Sequence, residues 1–252
     1  MRVLAIVHES CAGPGVFADS IRASGADFHC WRLPDEGPPW CDPRDYDAVL
    51  ALGGAMHPDG DDRYPWLAEE RALLADLLER GVPLLGVCLG AQLISEAAGA
   101  RARRAWEPEI GWYSVELTGK ASHDPLLGPL APRFDALEWH SYEFRLPAGA
   151  IPLARSASCL QAYRVGEAAW GVQFHAEVVL EDFESWLDGC RNDRDLARLE
   201  LEARELRADT RARIPDWNEL GRGLCDRFLA VAAARRQGRM RLGIRRRPRR
   251  IR

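Results

Sequence analysis

A cysteine between two glycines is the residue in this sequence best placed for covalent chemistry. Cys88 lies in the segment GVCLG at residues 86–90, where an apolar run ends and an amphipathic run begins. This pattern predicts a sharp strand-to-helix turn that holds the side chain in a strained, exposed pose. The free N–H groups and the positive dipole end of the following helix favour a thiolate. We therefore predict that Cys88 is a nucleophile, and that the glycines permit the turn and a close approach by substrate.

A histidine and a glutamate at the end of another apolar run supply the other groups that a thiolate needs. His175 and Glu177 close the segment GVQFHAE at residues 171–177. If the strand continues to Glu177, the two side chains point to the same side of it. Glu177 can then orient the imidazole of His175, which serves as the base. Two alternatives stay open here: Cys88 as a buried structural thiol, and the three residues as zinc ligands, although no fourth ligand is evident.

The elements that must position these residues alternate along the first hundred residues. Strands, most of them apolar, are predicted at 2–7, 28–33, 48–52 and 82–87, with helices after Gly15, at 65–80 and at 89–98. Strands of this kind, alternating with helices, predict a parallel sheet covered on both faces. From 101 to about 173 shorter strands separated by turns predict a mixed or antiparallel extension, with strands at 112–117, 134–139, 151–154, 160–164 and 168–174.

The C-terminal third is predicted to be helical and then to lose its structure. Helices are predicted at 178–187, 193–213 and 217–234, so one domain covers 1–234, with C-terminal helices from about 190. Residues 235–252 contain ten arginines, no acid, two glycines and a proline, which predicts a disordered, solvated tail. The alternative is a tail that docks on the acidic surface of a partner protein. Nucleic acid is the weaker candidate, because the tail lacks aromatic residues for base stacking.

Composition narrows the class of protein. A chain of 252 residues with 47% hydrophobic residues suits one well-packed α/β domain. Seven cysteines without paired CxxC spacing indicate neither a disulfide framework nor a zinc ribbon. No apolar run reaches the roughly 18 residues of a membrane span, and no signal peptide is recognisable. We predict a cytoplasmic protein with no membrane partner and no metal.

Three motifs resemble those of class I, or triad, glutamine amidotransferases. Residues 86–92 are similar to the signature G-[IV]-C-x-G-x-Q, residues 171–177 to G-x-Q-F-H-P-E, and residues 52–55 to the glycine turn before the nucleophile. The resemblance covers about residues 1–190. Residues 138–144 are similar to a Trp-His segment of stand-alone proteins related to the glutaminase domain of GMP synthetase. The resemblance implies a three-layer, flavodoxin-like α/β fold with a mainly parallel sheet, an antiparallel extension and no cofactor.

The same resemblance implies a division of roles at the site. Cys88 would attack the side-chain amide, and His175 would protonate the leaving ammonia and then activate water to hydrolyse the thioester. The oxyanion would be held by the backbone N–H groups of Gly54 and Leu89. Because Gly53 and Gly54 allow the peptide between them to rotate, we expect low activity until a partner binds.

Four further residues match the substrate-binding positions of these proteins. Gln92 corresponds to the residue that contacts bound glutamine, although an ordinary helix-surface amide is the alternative. His140, Ser141 and Tyr142 match a segment whose backbone recognises the α-amino and α-carboxylate groups, although His140 alone is more typical of a structural histidine.

Departures from the family pattern leave the substrate open. Ala176 replaces the usual proline between His and Glu, which predicts a looser backbone there, and Tyr142 stands where an Asp is common. The main hypothesis is a glutaminase that supplies ammonia to a separate synthetase chain, since no ATP-pyrophosphatase motif follows residue 190. The alternatives are a free-standing γ-glutamyl peptide or amine hydrolase and a catalytically idle regulatory or binding subunit.

Overall fold

The computed structural model of the chain describes residues 1–33, 35–36, 42–189, 194–199 and 202–241. Nine strands form one sheet: β1 (Arg2–Val7), β2 (Asp27–Arg32), β3 (Ala48–Ala51), β4 (Leu84–Val87), β5 (Ala102–Leu117), β6 (Arg133–Phe144), β7 (Ile151–Arg155), β8 (Leu160–Val165) and β9 (Ala169–Val172). The helices are α1 (Gly15–Ala23), α2 (Trp66–Glu79), α3 (Leu89–Ala97), α4 (Leu180–Gly189), α5 (Arg194–Arg198) and α6 (Ala203–Arg241). Two short 3₁₀ helices lie at Pro43–Asp45 and Gly119–His123.

The parallel half of the sheet follows from the apolar strands. Strands β2, β1, β3, β4 and β9 lie side by side in that order and are all parallel. Strands β3, β4 and β9 are buried at every residue, as uniformly apolar sequences require. The order is the flavodoxin-like one, in which ligands bind at the carboxyl ends of the strands near the point where the order reverses. The predicted fold class is confirmed.

Two apolar layers cover the sheet. Helices α1 and α6 pack together on one face, where Phe17 and Phe228 join Trp170 in a buried cluster. Helices α2 and α3 cover the other face, where Leu77 and Ile94 are buried. In the described part of the chain, no helix is long and apolar enough to cross a membrane.

The antiparallel extension is longer than the sequence predicts. It continues the sheet from β9 through β8, β7 and β5 to β6 at the edge. Strands β5 and β6 have 16 and 12 residues, and their pairing shifts register between Arg104 and Glu109. The charged stretch before Pro108 hid the first part of β5, because it lacks the alternation of a half-buried strand.

The C-terminal helix corrects two predictions. Helix α6 runs for 39 residues through Pro215, where two helices were predicted, because buried Ile214 and Trp217 hold the chain on either side of the proline. It also includes residues 235–241, so the prediction of a disordered tail from 235 is wrong for those seven residues. Residues 242–252 lie outside the described residues.

Ion pairs connect the arginine-rich end of α6 to the sheet. Arg235 lies 2.8 Å from Glu167, in the turn between β8 and β9. Arg236 and Arg239 lie 3.3 and 3.2 Å from Asp47, just before β3. One helix face thus carries its arginines to acids at the amino ends of the parallel strands.

Candidate active site

Cys88 occupies the strained turn that the sequence predicts. It lies between β4 and α3 with φ 49° and ψ −108°, and it is the one non-glycine residue with positive φ in the described part of the chain. The glycines beside it have a different reason from the one predicted. A Cβ on Gly90 would lie 1.9 Å from the carbonyl oxygen of Ala51, and one on Gly86 would lie 2.6 Å from the carbonyl oxygen of Gly90. They let α3 approach the sheet, and no close approach by substrate is needed to explain them.

His175 and Glu177 pair although the strand does not reach them. Strand β9 ends at Val172, so the condition for that argument, a strand that continues to Glu177, is not met. The imidazole Nδ1 of His175 nevertheless lies 2.8 Å from Oε1 of Glu177, and both side chains are buried. The segment after β9 therefore achieves by its own bends the pairing that period-two alternation suggested.

Helices α1 and α6 hold this segment in place. The indole of Trp217 donates to the carbonyl oxygen of His175 at 2.7 Å, and the amide of Asn218 donates to that of Val178 at 2.8 Å. The backbone N–H of Val16 donates to the carbonyl oxygen of Glu177 at 2.8 Å. The backbone around Ala176 is therefore held firmly, contrary to the expectation of looseness. Sequence reasoning missed Trp217 and Asn218, which lie some forty residues further along the chain.

The electrostatics favour a charged imidazole beside the thiol. Burial lowers the pKa of His175, but its interactions with Glu177 and Cys88 outweigh burial and raise that pKa well above 6.5. The ring of Trp186 covers the imidazole edge to face, with the centroids 4.8 Å apart. The indole of Trp186 donates to the carbonyl oxygen of Cys11 at 2.7 Å, which fixes its orientation. The pair of Cys88 and His175 is thus arranged for proton exchange under an aromatic cover.

A cavity of about 320 Å³ opens onto Cys88 and His175. Its wall includes all four residues predicted to bind substrate, Gln92, His140, Ser141 and Tyr142, together with Gly54. Leu89 is not part of the wall, and what it can bring to the site is its backbone N–H at the start of α3. Further lining residues are Glu9, Cys11, Ala12, Ala55, Met56, His57, Trp139, Ser185, Trp186 and Gly189.

Gln92 is buried, and its amide is already committed. It is 2% exposed, and its Nε2 donates to the carbonyl oxygen of Tyr142 at 3.0 Å and to Oε1 of Gln173 at 3.3 Å. The alternative of a surface amide is therefore wrong. Gln92 ties α3 to the end of β6, where the other three candidate residues lie.

Ser141 and Tyr142 use their hydroxyls on protein partners. The Ser141 hydroxyl donates to the carboxylate of Asp195, which also pairs with Arg104 at 2.7 Å. The Tyr142 hydroxyl donates to Asp59 at 3.2 Å, and its ring stacks on His57 with centroids 4.5 Å apart. The hydroxyl groups of Ser141 and Tyr142 are therefore occupied within the protein.

His140 belongs to a buried network of charged side chains at the cavity wall. Its Nδ1 donates to the carbonyl oxygen of Tyr142 at 3.0 Å, and its Nε2 lies 3.1 Å from Glu109 and 3.4 Å from Glu138. Burial alone lowers the pKa of His140, but the two carboxylates raise it to about 10. Burial raises the pKa of Glu138 to about 7. His140 is thus a bonded structural histidine as well as part of the cavity wall.

This network also contains three described residues whose spacing could suit a metal ion. Ligand atoms of Glu109, His140 and Cys159 all lie within 4.8 Å of one another, and all three residues are buried. They are hydrogen-bonded among themselves, and Gln161 donates to Glu109 at 2.7 Å. These internal bonds account for the arrangement without an ion.

The two backbone amides predicted to bind the oxyanion are free to donate. In the described structure, neither the N–H of Gly54 nor that of Leu89 donates to a protein acceptor. The carbonyl oxygen of Gly53 lies 3.1 Å from Nδ1 of His8, whose Nε2 lies 2.9 Å from Glu70. Sequence reasoning missed both His8 and Glu70. The available signal was the position of His8 directly after a parallel strand, at the edge where Cys88 and His175 also lie.

Known proteins share this arrangement of elements. Residues 17–188 match the model of the glutamine amidotransferase class-I family. The chain belongs to this family. The chain is 30% identical over 199 residues to the glutamine amidotransferase-like protein YfeJ of Salmonella typhimurium, a match that covers 77% of this chain and 82% of YfeJ.

Two other relatives bear more specific names. A glutamine-hydrolysing GMP synthase subunit of Sulfolobus acidocaldarius is 36% identical over 118 residues, which are 44% of this chain and 61% of that protein. The γ-glutamyl-L-1-hydroxyisopropylamide hydrolase of a Pseudomonas species is 30% identical over 142 residues, 53% of this chain and 48% of that protein.

A solved structure of a glutamine amidotransferase from Thermotoga maritima superposes on this chain with a TM-score of 0.81 at 28% identity. The superposition covers 90% of this chain and 97% of that one. A superposition over 90% of the chain must extend beyond residue 188, so the shared fold includes part of the C-terminal helices.

Proposed function

We propose that this amidotransferase hydrolyses the γ-amide of glutamine through a thioester on Cys88, giving glutamate and ammonia. The observation that carries the proposal is the strained Cys88, which stands at the start of α3 beside the pair of His175 and Glu177. A buried structural cysteine has no need of this turn, of a neighbouring imidazole or of an open cavity.

In the acylation half of the proposed mechanism, the triad and two backbone N–H groups each have one role. The Cys88 thiolate attacks the amide carbon, and the negative charge that develops on the amide oxygen is met by the N–H groups of Gly54 and Leu89. The charged His175 gives its proton to the leaving nitrogen, so that ammonia departs and the γ-glutamyl thioester remains. Glu177 stays ionised and keeps the imidazole oriented.

Deacylation reverses the proton path. His175, now neutral, takes a proton from a water molecule as the oxygen attacks the thioester carbon. The same two N–H groups hold the second oxyanion, and its collapse releases glutamate and returns the sulfur of Cys88 as thiolate beside charged His175. Trp186 covers one side of the imidazole and keeps other water away from it.

The cavity wall supports recognition of an α-amino acid end. Residues 140–142 and Gln92 line the cavity, and Nε2 of Gln92 is held by the carbonyl oxygen of Tyr142. In the proposed complex the α-amino and α-carboxylate groups meet the backbone of this segment, with the γ-amide directed at Cys88.

One observation favours a second candidate, hydrolysis of γ-glutamyl amines or peptides. Two indole rings, Trp139 and Trp186, line the cavity 5.7 Å apart, and Trp186 lies against the imidazole that protonates the leaving group. An apolar wall there suits a substituted amine better than it suits ammonia. The relative named as a γ-glutamyl-amide hydrolase supports this candidate.

A substrate comparison separates the candidates. The purified protein is incubated with glutamine, γ-glutamylmethylamide and a γ-glutamyl dipeptide, and glutamate is measured together with ammonia or amine. A higher kcat/KM for glutamine supports the glutaminase, and a preference for the substituted amides supports the second candidate. No glutamate from any of them would contradict both and would favour an idle binding protein.

We further propose that the ammonia acceptor is a synthetase on a separate chain, as the name of the GMP synthase relative suggests. A partner of this kind should raise the glutaminase rate or make its own product at the expense of glutamine. Co-purification of a candidate ATP-dependent synthetase with this chain, followed by a glutamine-dependent product assay, tests the idea. Product formed only from added ammonium would contradict it.

A further inference from the structure

The turn formed by residues 53–55 carries one of the two proposed oxyanion donors and is hydrogen-bonded to two consecutive residues, His8 and Glu9. The carbonyl oxygen of Gly53 accepts from Nδ1 of His8 at 3.1 Å, and the N–H of Ala55 donates to Oε1 of Glu9 at 2.9 Å. A carbonyl oxygen can only accept, so Nδ1 of His8 must carry a proton. The peptide between Gly53 and Gly54 is therefore held at its carbonyl end and at the next N–H.

The hydrogen bond from His8 to the Gly53 carbonyl decides where the Gly54 N–H points. All peptide bonds of the described chain are trans, so the C=O of Gly53 and the N–H of Gly54 point in opposite directions. His8 is 1% exposed and lies behind the turn, outside the cavity wall, whereas Gly54 is part of that wall. The Gly54 N–H consequently points away from His8 and finds no protein acceptor among the described residues.

His8 is itself held by a buried carboxylate and an indole. Its Nε2 lies 2.9 Å from Glu70 on α2, and its ring stacks on Trp66 with centroids 5.4 Å apart and planes 10° apart. Burial disfavours a charged imidazole, yet Glu70 and the Gly53 carbonyl raise the pKa of His8 above 6.5. The other oxygen of Glu70 has no partner in the described structure, so His8 is what compensates this buried carboxylate.

The glycines of the turn are dictated by the same crowding. A Cβ on Gly54 would lie 3.0 Å from Cβ of His8, and a Cβ on Gly53 would lie 2.9 Å from Cε1 of His175. The turn thus has His8 on one side and the imidazole of the proposed base on the other. In the proposed complex the Gly54 N–H must face the reacting amide, so the orientation of the Gly53–Gly54 peptide decides whether this donor is available.

We infer that His8, held by Glu70, is a positioning residue that fixes the Gly53–Gly54 peptide so that the Gly54 N–H faces the oxyanion. This inference rests on the proposed function of the site. It also replaces the expectation that the peptide rotates until a partner binds, because the contact that fixes its orientation lies within this chain.

Isosteric variants test the inference with a matched control. His8→Asn keeps an N–H near the position of Nδ1, whereas His8→Leu has a similar shape and no donor, and both leave Glu70 without its partner. We expect His8→Leu to lower kcat roughly 10–100-fold with KM within about two-fold, because one oxyanion donor is worth up to 10²–10³ in rate. We expect His8→Asn to recover most of that loss. Equal rates for the two variants would overturn the inference.

Alkylation by iodoacetamide separates the oxyanion turn from the nucleophile. This reagent reacts with a thiolate by displacement at a saturated carbon and needs no oxyanion donor. We expect Cys88 to be alkylated at the wild-type rate in both variants. A slowed alkylation in His8→Leu would show that the substitution disturbed Cys88 and His175, and would count against the inference.

A spectroscopic readout works even if the protein hydrolyses no γ-glutamyl amide. Gly53–Gly54 is the sole Gly-Gly pair in the sequence, so glycine labelled with ¹³C at the carbonyl and with ¹⁵N gives one carbonyl-to-amide NMR correlation. Loss of a hydrogen bond to the carbonyl should move its ¹³C resonance upfield in His8→Leu and much less in His8→Asn. A resonance that does not move in folded His8→Leu overturns the inference, whatever the activity.

Glu70 offers a second pair of variants should His8→Leu fail to fold. In Glu70→Gln the amide can donate to Nε2 of His8, which keeps the proton on Nδ1, so the resonance and kcat should stay close to wild type. Glu70→Leu removes that partner and should shift the resonance and lower kcat. The same behaviour of both Glu70 variants would contradict the inference.

Discussion

The carboxyl ends of the parallel strands and the hairpin of β5 and β6 both contain buried histidines, but these differ in how many carboxylates each one contacts. At the strand ends each imidazole has one carboxylate partner: His8 has Glu70 and His175 has Glu177. Each imidazole also interacts with a group at the proposed site, the carbonyl oxygen of Gly53 for His8 and Cys88 for His175.

In the hairpin, one imidazole is shared by two carboxylates. His140 lies between Glu109 and Glu138 and donates to the carbonyl oxygen of Tyr142. Both oxygens of Glu138 lack a hydrogen-bond partner in the described structure, so the network holds more acid than its one imidazole satisfies. We therefore expect the strand ends to carry the chemistry and the hairpin to support the wall of the cavity.

The largest effects should come from the strand ends. Cys88→Ala and His175→Ala should lower kcat by roughly 10⁵-fold or more, because the nucleophile and its proton carrier act as one unit. The assay is glutamate release from the preferred γ-glutamyl substrate, and circular dichroism checks the fold. Cys30→Ala, at an exposed thiol outside the cavity, is the matched control and should retain wild-type activity.

Labelling gives a second readout for the same residue. An electrophilic glutamine analogue should modify Cys88 and no other thiol. Modification mainly at Cys11, Cys30 or Cys159 would mean that Cys88 is not the reactive thiol.

A smaller loss is expected at the carboxylate of the strand-end pair. Glu177→Gln should leave roughly 10–100-fold more residual activity than His175→Ala, because the carboxylate orients the imidazole and does not itself transfer the proton. Steady-state kinetics of the two folded variants measure the difference. The reverse order would mean that Glu177 is the base.

The hairpin should respond in stability rather than in rate. The pKa of Glu138 is about 7 in the folded protein against 4.5 for an ordinary glutamate, so between these values the folded state holds a proton that the unfolded state lacks. The contribution of Glu138 to the free energy of unfolding therefore falls as pH rises through this window, by roughly 1–3 kcal/mol. Glu138→Gln, which leaves His140 its partner Glu109, should remove that fall.

Urea unfolding from pH 4.5 to 7.5 checks this prediction. Wild type should lose stability across the range relative to Glu138→Gln, and kcat of the variant should stay within about ten-fold of wild type. Parallel stability curves for the two proteins would show that Glu138 titrates normally, and a large loss of kcat would move the hairpin into the chemistry.

The sequence carried enough information for the parallel half and for Cys88 because these depend on neighbours along the chain. Apolar runs of four to six residues, each closed by a turn, identify buried parallel strands, and the segment GVCLG predicts the strained turn. The glycines were predicted to permit the turn and a close approach by substrate, but a Cβ at either position shows that they let α3 approach the sheet.

What local patterns could not reveal depends on distant partners. Trp217 and Asn218 hold the His175 segment from α6, and Glu70 holds His8 from α2. None of these pairings has a periodic signature, since each joins separate elements across the core. The helix at 235–241 was missed for the same reason, because its arginines pair with Glu167 and Asp47, which lie at the amino ends of β9 and β3.

The central claim is that a γ-glutamyl group is carried on the sulfur of Cys88. Mixing the protein with its preferred γ-glutamyl substrate, quenching in acid within the first turnovers and mapping peptides by mass spectrometry measures this directly. We predict a mass increase of one γ-glutamyl group on the peptide that contains Cys88, abolished in Cys88→Ala. Glutamate released without any adduct on Cys88, or an adduct on another residue, would contradict the account.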